Sequence, residues 1–103
     1  MPQANLKEVM IKLPQVIAES LEKNEIVSLL LDKALQRLEY YRSQCQEMEQ
    51  KYGMKYNDFK KRVEESKDEI FAEWDDLMEW EACEIASREW RGKYEELRAC
   101  MAS

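Results

Sequence analysis

The sequence predicts a mainly α-helical protein: a short N-terminal strand or arm, one long helix, and a C-terminal helical hairpin. Three observations carry this. Only 2 Gly and 2 Pro stand among 103 residues that are 37% charged and 45% hydrophobic, a mixture of helix formers with few breakers. Apolar side chains from Val27 to Tyr52 recur at alternating steps of four and three, a heptad stripe that needs a helical neighbour. Residues 70–101 read as a second long helix, holding all three tryptophans among the densest acidic residues of the chain.

A chain of this length makes one small domain, with a modest core that is marginal without a partner. Its charge divides it. Residues 1–43 carry six basic and six acidic side chains, so the whole net charge of -6 lies beyond them. We therefore treat 1–53 as a dimerisation region, with DNA binding as a further role, and 54–103 as an acidic, aromatic partner-binding region. The acidic half disfavours nucleic acid and anionic membrane and suits a basic protein.

Taken in order, residues 7–13 (KEVMIKL) alternate Val9, Ile11 and Leu13 against Glu8, Met10 and Lys12, the period of a half-buried strand. Pro14 ends that segment and can open a helix over residues 15–23, with Val16, Ile17 and Leu21 inward. Asn24 caps the long helix, which Gly53 ends. Val27, Leu31, Leu38 and Tyr41 lie on its heptad stripe and are the expected dimerisation residues. A third helix begins at Tyr56-Asn57-Asp58 with Phe59 and Val63 inward; its polar continuation either breaks near Ser66 or runs on into the last helix.

The last helix bears two apolar stripes. Phe71, Trp74, Met78 and Ile85 form one; Trp80, Cys83, Ser87, Trp90, Tyr94, Leu97 and Met101 form the other, about 200 degrees away at roughly 100 degrees per residue. One stripe can pack on the long helix, which leaves the other for a partner. Gly92, within this helix, permits a close approach or a small bend at a cost of ~1 kcal/mol relative to Ala.

The residue inventory removes several chemistries. There is no histidine, so His-dependent catalysis and His metal sites are absent. Cys45, Cys83 and Cys100 are odd in number and widely spaced, which reads as reduced thiols in a cytoplasmic protein rather than a disulfide frame or a zinc site. No apolar run spans a bilayer, no signal-peptide stretch opens the chain, and no cofactor motif is present. Catalysis is not expected.

Two constellations suggest other functions. Glu64, Glu65 and Asp68 form EExxD, and Glu81 and Glu84 form ExxE, a spacing similar to the magnesium-binding carboxylates of all-helical nucleotide pyrophosphohydrolases of the MazG type. The same residues also read as a solvated charged face. The order of N-terminal strand, proline and two helices resembles the ribbon-helix-helix fold. That likeness implies that Met10 and Lys12 face DNA.

The aromatic helix supports an interaction protein more directly. Trp, Tyr and Met carry much of the energy of protein interfaces. Trp74, Met78, Trp80, Trp90 and Tyr94 are the expected anchors, with Asp75, Asp76 and Glu79 as an electrostatic rim. The alternative for these aromatics is the core of the chain or of a homodimeric scaffold.

Residues 52–84, YGMKYNDFKKRVEESKDEIFAEWDDLMEWEACE, resemble the C-terminal region of small type II antitoxins of bacteria and archaea. The pattern is YGM, a Phe, a charged spacer and an acidic EW…EW segment. It is carried here by Tyr52, Gly53, Met54, Phe59, Phe71, Glu73, Trp74, Leu77, Glu79 and Trp80, within about a third of the chain. The resemblance implies a dimerising or DNA-binding N-terminal part and a C-terminal segment that wraps a toxin.

Overall fold

The computed structural model describes residues 6–68 and 70–102, and the whole of that chain apart from its N-terminal arm is helical or turns between helices. Among the described residues four helices follow one another: α1 (Gln15–Ser20), α2 (Lys23–Tyr52), α3 (Tyr56–Glu65) and α4 (Phe71–Ala102). The 30 residues of α2 and the 32 of α4 lie side by side and antiparallel. Lys51 at the end of α2 meets Asp76 near the start of α4, while Leu31 and Leu35 near the start of α2 share a cleft with Tyr94 and Met101 near the end of α4. Short α3 fills the closed end and packs on α4.

The turn that makes the hairpin is written in the sequence. Gly53 takes φ 65°, and its N–H donates to Glu49 O at 2.7 Å, which ends α2 in the left-handed conformation glycine adopts without a Cβ clash. Helix α3 stops at Ser66, whose backbone is extended and whose hydroxyl donates to Asp68 O. The break settles the open question at that position: α3 and α4 are separate. Ile70 O accepts from the amides of Glu73 and Trp74 and so begins α4.

The core follows the heptad reading. Val27, Ala34, Leu38 and Cys45 are buried from α2, Phe59 and Val63 from α3, and Leu77, Trp80 and Ser87 from α4. Its densest part is the closed end, where Cys45, Phe59, Val63, Leu77 and Trp80 pack with Met48, Tyr52, Met54, Tyr56 and Cys83 around them. Phe59 stacks on Trp80 with ring centroids 5.4 Å apart and on Tyr52 at 4.1 Å. Offset aromatic contacts of this kind stabilise by about 0.5–1.5 kcal/mol each beyond their buried area.

The N-terminal segment departs from the expectation. Among the described residues no strand forms, and residues 6–14 are an irregular arm. Alternation favours an extended chain, but a strand also needs a neighbour to receive its amides and carbonyls, and the other described residues form helices and the turns between them. Helix α1 is a turn and a half, shorter than expected, and it ends at Leu21 in an extended conformation. Val16 and Ile17, expected inward, are exposed, and Leu21 alone is half-buried.

Candidate partner-binding face

The stripe of α4 that holds Trp80 packs inward. Trp80 is 0% exposed, held between Tyr52, Tyr56 and Phe59, so it is a core residue and not the surface anchor the sequence suggested. Its burial follows from the hairpin: once α2 lies along α4, the heptad stripes of the two helices face each other. Val27 and Leu38 are buried and Leu31 and Tyr41 half-buried in the same seam. The expected dimerisation stripe is therefore closed within one chain.

The opposite stripe stays in water. Phe71 is 77% exposed, Met78 67%, Ile85 43% and Trp74 38%, with Ile70 beside them. At 3.6 residues per turn these side chains form one ridge along the outer face of α4. Trp74 also lines a notch of about 260 Å³ at the α3–α4 junction, with Arg62, Val63, Ser66, Asp68, Ile70 and Glu73. Ridge and notch together offer one projecting and one receiving apolar feature. Phe71 and Ile85 belong to this face although the expected anchor set omits them; the spacing 71, 74, 78, 85 was the signal.

Charge surrounds the ridge asymmetrically. Residues 71–87 contain six acidic side chains and no basic one. Three of the six are engaged inside the chain, Glu84 with the Cys45 thiol. Arg62 pairs with Glu73, and Asp76 accepts from Lys51 Nζ at 2.6 Å and from the Tyr52 hydroxyl. The hydrogen bond from Lys51, then the one from Tyr52, hold the Asp76 carboxyl below its usual range. Asp76 thus staples α2 to α4 and is not a free rim charge. Asp75, Glu79 and Glu81 are exposed and form no salt bridge among the described residues. Asp75 flanks the ridge closely, while Glu79 lies about a quarter-turn to the side of Met78.

The remaining expected site residues lie elsewhere. Trp90 is half-buried at the open end, in a cleft of about 380 Å³ shared with Leu6, Leu30 and Leu97, and Lys93 Nζ sits 4.3 Å from its ring centre. Tyr94 lines a different cleft with Ser28, Leu31 and Asp32, and the Arg98 guanidinium stands 5.8 Å from its ring centre. The structure brings Trp74, Asp75 and Met78 together and separates them from Trp80, Trp90 and Tyr94. Met10, 97% exposed, and Lys12 sit on the irregular arm, where no paired strand presents them to a DNA groove.

Chemically the outer face offers adhesion. Among the described residues no three carboxylates or thiols come together as a metal-binding set, and the EExxD and ExxE residues do not converge. The three cysteines are thiols, and burial, then the nearby Glu84 carboxylate, push Cys45 up to about 12. A thiol in that state is a packing group, not a nucleophile. Among the described residues no helix is long and apolar enough to cross a membrane.

The class defined by this geometry is a two-helix antiparallel hairpin, buttressed by a third helix, with an acidic-flanked apolar ridge on its outer side. Comparison with protein-family models, with curated proteins and with solved structures gave no match.

Proposed function

We propose that this chain is an antitoxin-like binding protein that neutralises a small basic toxin by burying the outer face of α4 against it. The observation that carries the reading is the exposed ridge of Phe71, Trp74, Met78 and Ile85, set in a stretch with six acids and no base. Large apolar side chains at helical spacing on a soluble surface mark an interface. The acids beside them that form no salt bridge among the described residues, Asp75, Glu79 and Glu81, raise the encounter rate with a basic surface and disfavour acidic competitors. The resemblance of residues 52–84 to type II antitoxins supports the same assignment.

In this reading the chain performs no catalytic step. Trp74 and Met78 fill apolar hollows on the toxin, Asp75 and Glu81 meet its Lys or Arg residues, and the rigid α2–α4 hairpin holds the ridge in place. The toxin is silenced because its working surface is covered. The chain self-associates as a homo-oligomer and acts in the cytoplasm.

The test is co-expression with the small basic protein encoded beside it, followed by purification through a tag on this chain and titration of the separated components. A stoichiometric complex is expected. Trp74→Ala and Met78→Ala should each weaken it by about 2 kcal/mol or more, with helicity unchanged because both side chains are exposed. Association should slow as salt rises. Titration curves of both variants that overlay the wild type would remove the ridge from the interface.

A further inference from the structure

The cleft at the open end joins apolar walls to two ammonium groups. Leu30 from α2, Trp90 and Leu97 from α4 and Leu6 from the arm line about 380 Å³ between them, in the lower part of the ~300–1,000 Å³ range of small-molecule sites. Lys33 and Lys93 stand at the same cleft, one on each long helix, and the Glu96 carboxylate lines it too. Neither lysine forms a salt bridge among the described residues. Lys93 Nζ lies 4.3 Å from the centre of the Trp90 ring, so cation and aromatic wall share one corner.

We propose that this cleft is a binding site for a single-tailed hydrophobic carboxylate, of the medium-chain fatty acid type. Its tail lies between Leu30, Trp90 and Leu97, and its head meets Lys33 and Lys93. Shape and charge select that chemistry. A concave apolar surface takes a tail, whereas a membrane-binding face projects its apolar side chains. Two ammonium groups against one carboxylate leave the rim positive, on a molecule whose net charge is -6. The rim attracts an anion at close range, while the field of the whole chain opposes a polyanion such as a nucleic acid. The ligand that satisfies both is an anion of low charge with a large apolar part.

Exposure at the mouth of the cleft supplies the driving force. Leu6 is 76% exposed and Leu30 47%. A tail seated between them takes both out of water and gives the arm an apolar neighbour. Because the walls come from α2, α4 and the arm, an occupied cleft ties the open end of the hairpin together. A ligand that binds the folded chain alone also raises its melting temperature. The site stands at the opposite end of α4 from Phe71 and Trp74, and it does not depend on the toxin reading.

Titration calorimetry of the full-length chain with decanoate, kept below its micelle concentration, tests the site, with decan-1-ol as the neutral probe of the same tail. Decanoate should bind about tenfold more tightly than the alcohol, the worth of a charged contact. In the nitrogen–proton spectrum the Trp90 indole signal, identified by its loss in Trp90→Phe, should shift, while those of Trp74 and Trp80 stay. Lys33→Gln combined with Lys93→Gln should weaken decanoate by about tenfold and leave the alcohol unchanged. Leu30→Glu, at an exposed position where the fold is kept, should weaken both probes. Decanoate that gives neither heat nor a Trp90 shift overturns the proposal. So does an alcohol that binds as tightly as the carboxylate, or a lysine pair whose removal changes nothing.

Discussion

Trp80 concentrates the energetics of the closed end in one side chain. It is fully buried, and its ring touches three other aromatics from α2 and α3. Trp80→Ala should lower stability by about 3–5 kcal/mol, a large part of what a chain of this size possesses. Its indole N–H is buried with no hydrogen-bond partner among the described residues, an arrangement that costs about 1–3 kcal/mol. Trp80→Phe removes that donor while keeping an aromatic ring, so it should cost markedly less than the alanine change. Urea unfolding of the two variants, both of which lack the indole N–H, measures what the buried ring contributes; equal losses would show that an aromatic ring at this site adds nothing over alanine.

Two titrating groups set limits on the stable pH range. The Asp76 carboxyl is held low by Lys51 and Tyr52, so the unfolded chain binds its proton more readily. Its contribution is complete above the unfolded carboxylate range and is lost as pH falls through the folded value. Asp76→Asn should therefore lower the urea midpoint at neutral pH, and the difference should shrink in acid. Cys45 has the opposite sense, raised from 9.0 to about 12 by burial and by Glu84. The stability it protects is intact below pH 9.0 and is lost as pH rises toward 12. Cys45→Ala should flatten that alkaline limb, as read from midpoints across the range.

At the scale of the element, the two glycines predict opposite signs. Gly53 has φ 65° with open space where a Cβ would stand, so Gly53→Ala should cost about 1 kcal/mol through conformation alone. Gly92 lies inside α4, and a Cβ there would also meet nothing. Neither close approach nor crowding requires a glycine at that point, and Gly92→Ala should stabilise by roughly 1 kcal/mol. Thermal melts of the pair check both signs.

The same elements show what could be read in advance. Gly53, the inward pair Phe59 and Val63, and the heptad stripe of α2 were legible because each is a local signal: a cap, a period, a turn of helix. Which partner the stripe would meet was not, since a heptad seam is chemically the same for a second copy and for a helix returning through α3. That ambiguity carried Trp80 to the surface and Val27, Leu31, Leu38 and Tyr41 to a dimer. The irregular arm escaped for a related reason: alternation over 7–13 specifies extension, and only a neighbour makes a strand. On the candidate face, Trp74, Asp75 and Met78 followed from composition. Phe71 and Ile85 needed the knowledge of which stripe is covered.

For the whole molecule, length outruns girth. The chain measures 63 × 32 × 21 Å with a radius of gyration of 19.4 Å, against roughly 13 Å for a compact globule of this length. Small-angle scattering of the chain as a monomer should return a value near 19.4 Å; a value close to that of a globule would mean that the hairpin collapses. The charge is polarised along the same axis. Residues 1–43 are neutral and the remainder of the sequence carries the entire -6.

The antiparallel course of α2 and α4 also orders the events of folding. Contacts at the closed end join positions 24 or 25 apart, such as Tyr52 or Lys51 with Asp76, whereas those at the open end join Leu31 to Met101. Loop-closure entropy rises with the logarithm of that span. The hairpin therefore closes like a zipper, starting where α3 and Trp80 supply the richest contacts and running outward. It opens in reverse, and amide exchange should be slowest near Cys45 and Trp80 and quicken toward Val27 and Tyr94. The ridge of Phe71, Trp74 and Met78 therefore sits on the part that closes first and opens last.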